Sequence, residues 1–167
     1  MFILTSYIIK DKMMFMVGEY RKSKLCTRVV EIRRSFLVSK SPEEIMEDTL
    51  NYYGFDLRGA LQAAGKLLGS PRMCPVIINP NNAVCLFPTK SPLKDNCYFF
   101  SIQHVKDFES EDKETKVLWS NGSTIIIPTN KRHFLRKKTN AETLRQTILE
   151  RNDDLYIDSS ILNPLHF

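Results

Sequence analysis

A chain of 167 residues with 43% hydrophobic and 26% charged side chains can bury one ordinary core, and it has the profile of neither a disordered nor a fibrous protein. Its early apolar runs, Phe2 to Leu4 and Tyr7 to Ile9, fall far short of the ~20 residues of a membrane span, and no basic segment followed by a continuous apolar stretch marks a signal peptide. The formal charge of +5 favours an acidic partner, and the chain is expected to stay in the cytoplasm.

The first forty residues alternate between apolar and polar positions, as in Thr27 to Ile32 and Ser35 to Val38, which predicts half-buried strands in an antiparallel meander. Ser41-Pro42-Glu43-Glu44 then combines an N-cap, a proline at the first helical position and a capping-box glutamate. With Ile45, Met46 and Leu50 at helical spacing and Gly54 as the stop, a helix over 42–53 is predicted. A second amphipathic run puts Leu57, Leu61, Ala64 and Leu68 on one face and ends at Gly69, with Gly59 and Gly65 lowering its helix propensity.

Val76 to Ile78 and Val84 to Phe87 read as strands around the turn signal Asn79-Pro80-Asn81-Asn82, since these residue types favour turns. Cys97 to Val105 reads as one aromatic-rich strand, and Asp107 to Glu114 as a mixed charged loop. Lys116 to Trp119 and Thr124 to Ile127 flank Asn121-Gly122, the pair that suits a type I′ hairpin turn. After Pro128, Asn130 to Lys138 and Thr139 to Arg151 read as two helices. Thr139 and Glu142 open the second at capping-box spacing, Leu144 and Ile148 form its apolar stripe, and Phe134 and Leu135 anchor the first. Residues 152–167 have little periodicity and read as a short flexible tail behind a single domain over 1–151. The order predicts an α+β fold: antiparallel sheets, two central helices and basic C-terminal helices.

Enzyme chemistry has no visible home. Cys26, Cys74, Cys85 and Cys97 lack the paired spacing of a zinc site and are read as core thiols, so no metal or other cofactor is expected. Gly59 to Lys66 superficially resembles a phosphate-binding loop, but five residues separate the glycines and Leu67 replaces the hydroxyl residue that such loops need for magnesium. Cys97 and His104 are the cysteine and histidine nearest in sequence; on one regular strand they would face opposite ways, roughly 23 Å apart.

The charge is local. Residues 128–151 hold Lys131, Arg132, Arg136, Lys137, Lys138, Arg145 and Arg151 against Glu142 and Glu150, whereas the last sixteen residues carry a net −3. A dense cationic segment releases condensed counterions on meeting a polyanion, and the same density also suits a solvated helix face. On a helix, Arg132 and Arg136 fall at i, i+4 and can lie along phosphates or enter a narrow A/T-rich minor groove. These cations are expected to form an ordered ridge along a duplex.

Cys74-Pro75-Val76-Ile77-Ile78-Asn79-Pro80, Leu86-Phe87-Pro88-Thr89-Lys90-Ser91-Pro92, Cys97, Ser101, His104-Val105-Lys106, Phe108 and Ser120-Asn121-Gly122 leading to Pro128 together resemble the central signature of the competence transcription factor (ComK) family. Tyr52-Tyr53-Gly54, Gly59, Phe134 and Leu144-Arg145 fit the same register. The resemblance implies a transcriptional activator of DNA-uptake genes that binds double-stranded A/T-rich sites largely through the minor groove, as dimers that assemble into tetramers, without a cofactor and at the nucleoid. Lys131, Arg132, Arg136, Lys137, Lys138 and Arg145 are the candidate DNA contacts. Leu50, Ala60 and Phe99 stand where relatives tend to have cysteine, arginine and tryptophan. The aromatic-Met-Leu-Tyr-Pro segment through which an adaptor delivers relatives to a Clp protease has no clear counterpart, so the resemblance does not carry adaptor control to this chain. The competing reading is a non-activating regulator that works through hetero-oligomers with a relative.

Overall fold

The computed structural model describes residues 3–70, 72–81, 84–89 and 97–162. Alternation in the first forty residues folds as a meander: β2 (Met13–Arg21) pairs antiparallel with β3 (Lys24–Glu31), and β3 with β4 (Ser35–Val38). The short β1 (Ile3–Leu4) joins β4 in parallel. On the other side of β2 the sheet continues through β7 (Tyr98–Ser101), β6 (Val84–Pro88) and β5 (Val76–Asn79), giving the order β1-β4-β3-β2-β7-β6-β5. Asn82 of the expected turn and Lys90 to Pro92 of the family signature lie outside the described residues.

Because successive side chains alternate across a strand, the two faces of this sheet bury different apolar sets. Met16, Val29, Val38, Leu86 and Phe99 face α1 (Pro42–Tyr52) and α2 (Leu57–Leu68), packing with Ile45, Met46, Leu50 and Leu57. The predicted capping box is present: Ser41 Oγ accepts from the Glu44 N–H at 3.2 Å, and the Ser41 N–H donates to Glu44 Oε1 at 3.1 Å. Gly69, at φ +71°, ends α2 in the left-handed region. On the opposite face Phe15, Cys85, Phe87 and Phe100 pack with Val117, Trp119 and Phe134. All four cysteines are buried.

Several expectations need correction. Cys97 to Val105 is not one strand. After Ser101 a single 3-10 turn, Ile102–His104, carries the chain out of the seven-stranded sheet into a second sheet of β8 (Val105–Glu111), β9 (Glu114–Trp119) and β10 (Thr124–Ile127), in the order β10-β9-β8. Ile102 is driven into the core, and the His104 ring bridges Ser120 Oγ and the Asp11 carbonyl, which fixes the corner. Asp107 to Glu114 is accordingly a hairpin; β8 is largely solvent-facing, so it lacks the apolar alternation by which strands are recognised.

The Asn121-Gly122 connection is a three-residue loop. The Trp119 N–H donates to the Ser123 carbonyl at 2.9 Å, the Gly122 N–H donates to the Trp119 carbonyl at 2.9 Å, and of the Asn-Gly pair Gly122 alone has positive φ, +87°. This is a type I turn closed by a left-handed glycine, not a type I′ turn. The asparagine serves a tertiary purpose, since its Nδ2 donates to the Ile32 carbonyl at 3.0 Å and ties this hairpin to the larger sheet.

The two C-terminal helices are one, α3 (Lys131–Leu162). Phe134 and Ala141, both fully buried, flank Thr139 on an apolar stripe, so packing carries the helix through the capping-box signature, and α3 runs on past Arg151 to Leu162. Leu135 is 48% exposed, which leaves the anchoring to Phe134.

Candidate nucleic-acid interface

The seating of α3 decides where its cations point. Asn130 Oδ1 accepts from the His133 N–H at 2.9 Å at the start of the helix. Phe134 enters an aromatic nest, its ring centroid 5.7 Å from Phe87, 5.8 Å from Phe100 and 4.9 Å from Phe108. With that residue fixed, each further residue turns by about 100°.

Lys131, Lys138 and Arg145, seven apart, therefore share one flank. The Lys131 and Lys138 ammonium groups lie 5.8 and 5.7 Å from the centre of the Phe108 ring, a cation–π arrangement, and Lys138 is ion-paired with Glu142. Lys138 and half-buried Arg145 line a polar hollow of about 610 Å³ together with Gln103, Glu142, Thr143 and Gln146. Among the described residues the buried amide nitrogen and oxygen of Gln103 have no hydrogen-bond partner.

Arg132 and Arg136 occupy the outer face and are exposed, with the Arg136 guanidinium 3.5 Å from His133 Nδ1. Lys137 turns to the other flank, where its ammonium approaches Met73 Sδ at 3.6 Å; burial, reinforced by Arg136, holds its pKa below the usual lysine range. The six candidates thus form an exposed arginine pair and a flanking row of three, with Lys137 apart. They do not make one ridge, because a helix seated by Phe134 distributes consecutive cations around its axis.

Arg21, Lys22 and Lys24, which are not among the six candidates, are presented together in solvent by the β2–β3 turn. The available signal was a run of three cations between two alternating segments. Both His104 ring nitrogens are engaged with Ser120 and Asp11, and burial pushes the Cys85 thiol pKa up to about 12. Among the described residues no cluster of His, Cys, Asp or Glu is placed to hold a metal ion, and no helix is long and apolar enough to cross a membrane.

A basic helix locked onto an aromatic-cored sheet pair agrees with the kinship read from the central signature, and comparison with known proteins decides it. The model of one protein family, described as ComK protein, matches residues 4–153. The chain belongs to the ComK family. The competence transcription factor of Bacillus subtilis (strain 168) is 26% identical over 151 residues, covering 90% of this chain and 79% of that protein. No solved structure matches the chain. The ComK match spans both sheets and all six candidate cations on α3.

Proposed function

We propose that this ComK-family chain is a DNA-binding activator of competence genes that recognises A/T-rich duplex sites largely through the minor groove. The observation that carries the reading is the exposed pair Arg132 and Arg136 on a helix whose rotation Phe134 fixes. Arginines held at that spacing suit a narrow minor groove, where the negative potential is enhanced. Lys131, Lys138 and Arg145 on the flank serve as phosphate contacts, and Lys137, turned away and partly desolvated, contributes least. Assembly into dimers or tetramers and action at the nucleoid belong to the same proposal, which assigns no reaction and no cofactor to the chain.

The test is fluorescence anisotropy on a labelled A/T-rich duplex across a salt series. The wild-type association constant should fall steeply with salt, by a log–log slope of roughly −0.9 per phosphate neutralised. The double variant R132E/R136E should bind at least about tenfold more weakly and with a slope flatter by about 2. Unchanged binding by that variant would remove α3's outer face from the interface.

A second reading has one observation in its favour. An apolar hollow of about 970 Å³, lined in part by Ala60, Leu67, Ile77, Leu144 and Ile148, opens beside exposed Phe55, the kind of surface that a protein partner covers. A regulator that forms inactive hetero-oligomers with a related chain would use it. Such a protein would co-elute with that relative and weaken the relative's DNA binding without binding the duplex itself.

A further inference from the structure

The hairpin that joins β2 and β3 is longer than its neighbours. Val17 is the last β2 residue paired with β7, opposite Tyr98, and Thr27 is the first β3 residue paired with β4, opposite Val38. Beyond these points Glu19–Cys26, Tyr20–Leu25 and Arg21–Lys24 complete a two-stranded ribbon. At about 3.3 Å per residue its tip stands roughly 13 Å past Val17.

That tip is cationic, exposed and strained. Tyr20 through Lys24 are all exposed, and Tyr20 presents half of its surface to solvent. Glu19 is shared by Arg21 at 2.6 Å and Arg28 at 3.2 Å, so its charge is already matched. Lys22 and Lys24 have no acidic partner among the described residues. Lys22 and Ser23, at φ +51° and +67°, hold the two left-handed positions of the turn. Asn-Gly would occupy these with less strain, so folding gives no reason for a lysine at the apex.

The tip also lies at a particular end of the molecule. The antiparallel order places the carboxyl end of β2 beside the amino end of β7, the carboxyl end of β6 and the amino end of β5. Lys137 of α3 touches Met73, just ahead of β5. The hairpin tip and the first turns of α3 therefore share one end of the sheet. β2 and β5 are three strands apart, about 14 Å, well within one ~34 Å turn of duplex.

We infer that the β2–β3 hairpin is a second nucleic-acid contact, an arm whose Lys22 and Lys24 meet the phosphates of the duplex that α3 engages. A two-stranded ribbon fits a DNA groove, and Tyr20 supplies an apolar surface beside the cations. The inference rests on the DNA-binding reading above and adds to it a contact remote in sequence from α3.

The experiment compares the full chain with K22N/K24Q and K22R/K24R, by anisotropy on the same A/T-rich duplex across a salt series. Asparagine tolerates the left-handed turn, and melting curves followed by circular dichroism verify that each variant folds. K22N/K24Q should lose about tenfold or more in affinity near 0.1 M salt and flatten the log–log slope by about 2, while K22R/K24R keeps both. If the wild type binds the duplex and K22N/K24Q binds it equally well with the same slope, the arm is refuted and the α3 interface stands. If the wild type binds no duplex, both fall. Vesicles of phosphatidylglycerol provide the remaining arm: binding to them that needs Lys22 and Lys24, with duplex binding unaffected by the substitutions, would overturn the inference in favour of a lipid surface.

Discussion

Glu31 is a carboxylate enclosed in the protein, 2% exposed, and its partners explain why it remains charged. Burial works against the anion, but hydrogen bonds from Arg34 at 2.6 Å and from the Tyr7 hydroxyl at 2.7 Å outweigh it, with Lys12 nearby, and hold its pKa below the ordinary 4.5. Burial and the same carboxylate raise the Tyr7 phenol pKa above its usual value, so Tyr7 is the donor at neutral pH. A carboxyl whose folded pKa lies below its unfolded one contributes stability that is complete above the unfolded value and disappears as pH falls through the folded one. E31Q should therefore cost about 2–3 kcal/mol in urea unfolding at neutral pH, and the gap from wild type should narrow steadily below pH 4.5. Equal stability of the two at neutral pH would show that Glu31 is not held as described. None of this was legible in the sequence, where Glu31 is a polar residue on an alternating strand and Tyr7 lies 24 positions away.

At the scale of elements, two identical-looking start signals have opposite outcomes. Ser41 and Glu44 form a working capping box, whereas Thr139 and Glu142 sit inside α3, with Glu142 paired to Lys138 instead. S41A should lower stability by about 1 kcal/mol. T139A should leave it unchanged or raise it by up to about 0.5 kcal/mol, because alanine is the better residue in a helix interior. Chemical denaturation of both variants checks this; a loss of about 1 kcal/mol for T139A would mean that α3 breaks where the sequence suggested. The helices α1 and α2 were legible because their caps and apolar spacing agree, and β5, β6 and β9 because their apolar runs are bounded by turn residues. The join between β7 and β8 was hidden, since the corner at Ile102–His104 is set by contacts to Ser120 and Asp11 that no local pattern encodes. Turn chemistry misled in the same way. The turn with two left-handed residues is Lys22-Ser23, while Asn121-Gly122 closes a longer loop.

For the whole molecule, the α+β class and the sequential order of most elements follow from periodicity, but the partition of the strands, among the described residues, into sheets of seven and three does not. That partition matters because the aromatic layer between the sheets, built from Phe15, Phe100 and Trp119 with Phe87, receives Phe134 and so sets the rotation of α3. The cations themselves were visible in the sequence; their separation into an outer pair and a flanking row was not, because it depends on which residue the core captures. A further cationic surface, at the β2–β3 tip, comes from tertiary layout, since only the strand order shows that it shares an end with α3. F134A removes the side chain that couples core to interface. It should cost about 3–5 kcal/mol in unfolding experiments and weaken duplex binding even under conditions where the variant is still folded; full-strength binding by folded F134A would uncouple the two.

Selective recognition of A/T-rich DNA is the property on which the proposed function stands. Its most direct measurement is a competition titration of the wild-type chain at about 0.15 M salt, with a labelled A/T-box duplex displaced by either unlabelled A/T-box duplex or a scrambled duplex of equal length and composition. With selective recognition, the scrambled duplex must be added at a concentration at least about a thousandfold higher, the lower edge of the range for specific over non-specific binding. Equal displacement by the two, or no complex at all, would contradict it.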